Sequence, residues 1–290
     1  MPVEKRGLAA SGLLDAFKKI WADSWGARLE HILRNAFLAL LDQREAILAD
    51  VLRLLDDRAF RRDVVVRVYS PRVRDFWLRE YESYPVHFRA EAVAPIQNKV
   101  GAFLAHPILN RILCEGTSSF VLRRMMDQRK ILLVNLAKGK IGEDAATLLG
   151  ALLISSMGVA ALSRAEIAES ERKDFFVYLD EFQNFTKLSL ANMLSELRKY
   201  RVGMILTHQY LNQIEPQVRE SVLANAGTII SFRLGVSDAE ILEKEMYPEF
   251  SMRDLVNLPN YSIYLKLMST EFGHGCITTR GFSHFHLSLQ

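Results

Sequence analysis

Apolar and polar positions alternate along this chain in two rhythms. From residue 29 the apolar side chains Leu29, Ile32, Leu33, Ala36, Phe37, Leu40 and Leu41 recur at steps of three and four. That is the stripe of a helix burying one face. The same rhythm predicts helices over residues 51–55, 72–81 and 87–104, with Pro71, Pro85 and Pro107 as breaks between them. Pro95 falls inside the last of these and predicts a kink. No strand pattern occurs before about residue 130.

Beyond that point short β-rich apolar runs alternate with helical segments. Strands are expected at residues 130–136, 175–179, 202–207, 228–234 and 261–268, and a last one at 276–280 after a Gly-rich turn at 273–275. Helices are expected at 145–163, near 188–200 and near 216–225. Another should open at Ser237 with Glu240 completing a capping box. Strand–helix–strand in repetition predicts a parallel sheet with right-handed crossovers and helices on both faces. The expected fold class is therefore α/β: a mostly parallel sheet flanked by helices, preceded by an all-α helical domain. The small polar loop at 116–119 marks the boundary, dividing the chain into 1–27 as a linker, 28–116 as the helical domain and 117–290 as the sheet domain.

The 290 residues are 49% hydrophobic and 24% charged, an ordinary globular balance far from that of a disordered chain. A net charge of +3 permits contact with nucleic acid without arguing for it. Cys114 and Cys276 are too far apart to suggest a disulfide framework or a metal site, which favours a reducing cytoplasm. The N-terminal stretch is too polar for a secretory signal. Residues 145–163 carry no charge and are about as long as a membrane span. Hydroxyl residues and two glycines dilute the run, and Asp144 and Arg164 bracket it. A core helix against the sheet is the expectation.

The sharpest chemical signal is FFVYLDEFQNF, residues 175–185. A buried strand that ends in Asp180 and Glu181 places two carboxylates where open α/β sheets bind ligands. Asp180 can hold Mg²⁺ at nucleotide phosphates, and Glu181 can polarise an attacking water as general base. The plainer alternative is a solvated acidic pair at a loop start. The strand at 202–207 leads into His208 and Gln209, whose amide can orient water and sense a terminal phosphate. Arg198 and Arg201 close a helix before that strand. They suit the helix dipole, or they act as an arginine finger toward a neighbouring subunit. Arg233 is a further candidate for nucleotide contact. Lys138 and Lys140 follow the end of the 130–136 strand and could line the site. No GxxxxGK[ST] phosphate loop, HExxH or GxSxG occurs.

These segments, together with LSELRKYRVGMILTHQYLNQI and ANAGTIISFRLG, resemble the second half of the HerA/FtsK-superfamily ATPases. They come closest to the TraG/TraD-type coupling proteins of conjugation and type IV secretion. WADSWGARLEHILRNAFLALL is similar to the helical region that such proteins carry between the phosphate loop and the Walker B strand. The resemblance implies a RecA-like core, with 1–27 a remnant of it, and a hexameric ring that couples ATP hydrolysis to DNA movement. By matching motif, Asp180 is the Walker B acid holding Mg²⁺, Glu181 the catalytic carboxylate and Gln209 the sensor glutamine. Arg198 and Arg201 face a neighbour, and Lys138 and Arg233 approach the bound ATP. The implied partners are DNA, further copies of the chain, an upstream segment or polypeptide bearing the Walker A loop, and membrane components of a secretion system. The implied location is the cytoplasm beside the inner membrane. A non-catalytic assembly module derived from such an ATPase is the alternative.

Overall fold

The computed structural model describes residues 3–21, 25–115, 120–185, 188–269 and 273–280; the expected boundary loop at 116–119 lies outside them. The chain forms two compact units, Met1–Ile205 and Leu206–Gln290.

The first unit opens with α1 (Val3–Ile20) and α2 (Ala27–Leu41). The segment expected as a linker is thus largely helical, and Ala10, Leu14, Phe17 and Trp21 all turn into the core. Their spacing of three and four is the same one-face stripe that marks α2. Phe17 lies 4.6 Å from Trp21 and 5.5 Å from Phe37 between ring centroids, and Trp21 stacks on Phe103 at 5.8 Å.

α3 (Ala49–Asp56) and α4 (Arg58–Val66) follow, with Asp57 capping α4 by accepting from the N–H groups of Ala59 and Phe60. The segment expected as one helix over 72–81 is α5 (Pro71–Asp75), a π-helical turn (Phe76–Glu80) and α6 (Tyr81–Ser83). The wider turn brings both Trp77 and Tyr81 into the core, Trp77 donating to the carbonyl of Asn35 and Tyr81 to that of Leu55. α7 (Val86–Ala105) runs through Pro95, and α8 (Pro107–Cys114) and α9 (Leu122–Asp127) complete the series before residue 130.

Residues 130–137 carry no regular secondary structure, so the first expected strand does not form. Ile131 and Leu133 are 85% and 89% exposed, because no neighbouring strand or helix among the described residues covers them. One helical turn, α10 (Lys138–Ile141), follows and leads into α11 (Glu143–Leu162).

α11 is long and apolar enough to span a membrane by length and composition. Two of its faces are taken by protein. Gly12 of α1 meets Ser155 so closely that a Cβ there would clash, and Gly158 likewise faces Met193 of α12 (Leu188–Leu197). Small residues let these axes approach. Beneath α11 and α12 lie β1 (Phe175–Leu179) and β2 (Val202–Leu206), paired with each other and joined through α12, the connection of a parallel pair. Val177, Leu197 and Val202 form this core with Ala160, Ala161 and Met126. The opposite face of β1 is open: Phe176 and Tyr178 are 59% and 74% exposed, so only one face of this sheet is covered among the described residues.

The second unit holds α13 (Pro216–Asn225), β3 (Thr228–Ser231), α14 (Val236–Met246), α15 (Met252–Val256), β4 (Ser262–Ser269) and β5 (Gly273–Arg280). Its sheet is antiparallel in the order β3-β4-β5, with Thr228 opposite Leu267 and Ser262 opposite Arg280. The expected capping box at Ser237 does not form, since α14 already begins at Val236 and Asp238 is buried, accepting from the N–H of Leu211. The capping box is Ser251 with Asp254, opening α15.

Candidate functional site

β1 is apolar because Val177 must pack under α11, and it ends at Leu179 because the chain turns there. Asp180 is exposed at that end. Glu181 has φ 50° and ψ 48°, the left-handed region that glutamate adopts at a cost of about 1 kcal/mol or more. Strain of this kind persists only where surroundings over-determine it. Here they do. Phe182 is fully buried at the start of a 3₁₀ turn (Phe182–Asn184), the Asn184 N–H donates to the Glu181 carbonyl, and Gln183 Nε2 donates to Glu181 Oε2 at 2.6 Å. Phe185 rests against Gly150, where a Cβ would strike its ring.

Lys138 joins this turn. Its Nζ donates to Asn184 Oδ1 at 2.9 Å and to Glu143 Oε1 at 2.8 Å. The lysine holds the Glu143 carboxyl below the usual glutamate range through that hydrogen bond and its charge. The structure thus ties Lys138, by way of Asn184, to the turn carrying Asp180 and Glu181. Among the described residues no group of three or more His, Cys, Asp or Glu side chains could enclose a metal. Two carboxylates suit Mg²⁺ all the same, which is held by one or two of them with phosphate oxygens and water completing its shell.

Arg198 and Arg201 stand elsewhere. Phe175 N–H donates to the Arg201 carbonyl at 3.0 Å, so Arg201 lies beside the first residue of β1. The strand then runs about 17 Å to Asp180 at 3.3 Å per residue. Arg201 is also left-handed, with φ 57°, and its guanidinium reaches Asp174 at 3.4 Å. A groove of about 540 Å³ opens here, lined by Asp174, Phe176, Arg198, Lys199 and Arg201 among others. Gln209 and Arg233 fall in the second unit, both exposed. Gln209 follows β2 by three residues, and Arg233 sits just past β3 rather than within the strand expected for it.

Two arginines went unnoticed among the sequence motifs. Arg164 is fully buried, and Arg172 packs over the Tyr200 ring at 5.3 Å. Desolvation lowers the Arg164 pKa from its ordinary value, with Asp127 opposing. The only sequence signal of Arg164 is a charge closing a long apolar helix, which reads equally well as a helix end, and Arg172 carries none.

Residues 174–271 match the family TraG-D_C, described as the TraM recognition site of TraD and TraG. In fold the chain is similar to the bacterial conjugative coupling protein TrwBdeltaN70 in its unbound monoclinic form, with TM-score 0.64 at 13% identity. It is also similar to the plasmid coupling protein TrwB in complex with the non-hydrolysable ATP analogue ADPNP (TM-score 0.62, 13% identity) and with ADP and Mg²⁺ (TM-score 0.61, 15% identity). Each likeness covers 97% of this chain and 68% of the other. No curated protein sequence matches. The α/β fold expected from the strand–helix alternation is therefore the one present, and the chain resembles the TraG/TraD type of conjugative coupling protein, in sequence over 174–271 and in fold along nearly its whole length.

Proposed function

We propose that this chain is the catalytic portion of an ATP-driven, DNA-translocating motor of the conjugative coupling type, working as a hexameric ring. The observation that carries the proposal is the end of β1: an exposed Asp180 followed by a Glu181 held in a strained backbone state by its own turn. Similarity to coupling proteins that were themselves seen with an ATP analogue and with ADP and Mg²⁺ supports the same reading.

Asp180 would hold the Mg²⁺ of Mg-ATP, and that ion would neutralise charge on the transferred phosphoryl group. Glu181 would accept a proton from the attacking water, its carboxylate aimed by Gln183. Lys138, already beside this turn, would offer a cation to phosphate oxygens in exchange for Glu143. Gln209 would sense the terminal phosphate, with Arg233 a further contact. Arg198 and Arg201 would serve a neighbouring subunit's nucleotide. A Walker A loop is required for tight phosphate binding and would come from an upstream segment or a separate polypeptide. The cargo would be DNA. The 174–271 region would recognise a TraM-like accessory protein, and the motor would sit in the cytoplasm beside secretion-system components of the membrane.

ATP hydrolysis by the chain with its Walker A segment, with and without DNA, tests this reading. Turnover that disappears in Glu181→Gln while nucleotide binding survives is the expected result; undiminished turnover in that variant removes Glu181 from the chemistry.

One observation favours a second reading, a non-catalytic assembly module: Ile131, Leu133, Phe176 and Tyr178 expose apolar surface on an otherwise ordinary globular chain. On that reading Asp180→Ala leaves DNA transfer in cells unchanged, whereas disrupting the helices of residues 28–115 destroys it.

A further inference from the structure

We propose that Arg164 is a positioning residue: its buried guanidinium locks the cationic turn at 198–201 so that Arg198 and Arg201 project from one fixed backbone. The proposal rests on the reading that this turn acts on a neighbouring subunit's nucleotide.

Arg164 lies just beyond the end of α11 and is fully buried. Its Nη1 donates to the Tyr200 carbonyl at 2.7 Å and reaches that of Arg201 at 3.5 Å. Its Nη2 donates to the carbonyl of Lys173. One planar group thereby ties the approach to β1 and the approach to β2 to a single point. Arg172 extends the grip: it donates to the carbonyls of Lys199, Arg164 and Ile167. Three successive carbonyls, of residues 199, 200 and 201, are thus taken from the protein side.

The side chains of Arg198, Lys199 and Arg201 are left to line the outer groove. Arg201 could not hold φ 57° cheaply without such a frame. Simple packing does not account for a guanidinium in this place. An apolar side chain of similar volume would fill the space without the cost of burying a charge. The nearest carboxylate oxygen, Asp127 Oδ1, stands 3.3 Å from Arg164 Nε without hydrogen-bond alignment, so the carbonyls are the principal partners. Only the forked geometry of arginine serves two separated segments at once; a lysine carries the charge but not the fork.

The test compares wild type, Arg164→Lys and Asp127→Asn in the chain with its Walker A segment, by two readouts. Amide hydrogen exchange is followed in peptides covering 172–179 and 198–206, with α2 as the internal standard. Arg164→Lys is expected to speed exchange in both peptides by roughly tenfold while α2 is unchanged, as for a local opening. Asp127→Asn, which leaves the carbonyl bonds in place, is expected to keep wild-type exchange. In ATP turnover, Arg164→Lys should lower kcat at unchanged KM, in parallel with Arg201→Ala, whereas a fold defect would move α2 as well. Unaltered exchange in both peptides overturns the clamp. Faster exchange with undiminished kcat, in a protein where Arg201→Ala does lower kcat, overturns its bearing on catalysis. Wild-type kcat in both Arg198→Ala and Arg201→Ala would instead overturn the finger reading beneath it, and exchange alone would then decide the clamp.

Discussion

The backbone N–H of Phe175 donates to the carbonyl of Arg201 at 3.0 Å, which holds Arg201 at the opposite end of β1 from Asp180. The intervening strand, about 17 Å long, exceeds the reach of an arginine side chain. On the proposed function, an arginine at that place would meet a nucleotide from the next subunit of a ring.

That relationship predicts complementation. Rings of Glu181→Gln alone and of Arg201→Ala alone should both be inactive. In a random equal mixture, about one quarter of interfaces pair an intact Glu181 with an intact Arg201 from the neighbour, as head-to-tail contacts require. Turnover should recover to about that fraction. An arginine acting within its own subunit would restore none, so steady-state ATPase of mixed rings separates the two arrangements.

The left-handed backbone at Glu181 predicts a trade between stability and chemistry. Asparagine tolerates this region better than glutamate, without the chain entropy of glycine. Glu181→Asn should stabilise the fold by up to about 1 kcal/mol and remove turnover. Glu181→Gln should remove turnover with no gain in stability. Thermal melts beside ATPase assays distinguish strain from simple charge removal.

A Cβ at Gly150 would collide with the Phe185 ring, whereas one at Gly158 would meet the flexible end of Met193. Gly150→Ala should therefore cost about 1–3 kcal/mol, as overpacking does, and disturb the turn beside Glu181. Gly158→Ala should cost less, because the thioether can move aside. The double variant Gly150→Ala with Phe185→Ala should lose less than the sum of its parts in chemical denaturation, the mark of a direct contact.

In the helical region Arg61 is buried and donates to Glu82 Oε1 through Nε and Nη2, and to the carbonyls of Leu54 and Leu55 through Nη1. Arg61→Met should destabilise by about 3 kcal/mol, the scale of a broken buried pair. Burial raises the Glu82 pKa, but the hydrogen bond and charge of Arg61 outweigh it and hold the carboxyl below its ordinary 4.5. A depressed carboxyl contributes stability above its unfolded value and loses it as pH falls through the folded one. Wild type should thus lose stability below about pH 4.5, and Glu82→Gln should flatten that part of the profile, in denaturation series between pH 3 and 7.

Much of the chain was legible before folding. The stripe through Leu29, Ile32, Leu33 and Phe37 marks a buried helix face wherever the backbone is helical, and all four are buried. β1 and β2 were readable as short β-rich runs, each preceded by a charged segment. The acidic pair was readable because it closes an apolar strand, where open α/β sheets bind ligands, although a solvated pair at a loop start reads the same way. The 130–136 run misled because apolar, β-branched composition measures the benefit of pairing, and no partner strand is present among the described residues to provide it. α1 was missed because Gly7 and Gly12 interrupt its pattern, although Gly12 is what lets it lie against Ser155 of α11.

The sequence by itself determined the alternation of elements, the carboxylates after β1 and the position of the arginines along the chain. Those depend on local spacing, and local spacing is written in order. Only the tertiary structure decided that Lys138 reaches Asn184 across 46 positions, that Arg201 stands a strand's length from Asp180, and that Arg164 buries its charge against the carbonyls of Tyr200 and Lys173. Each depends on which distant segment fills a space, and a residue's own neighbours in the chain do not encode that.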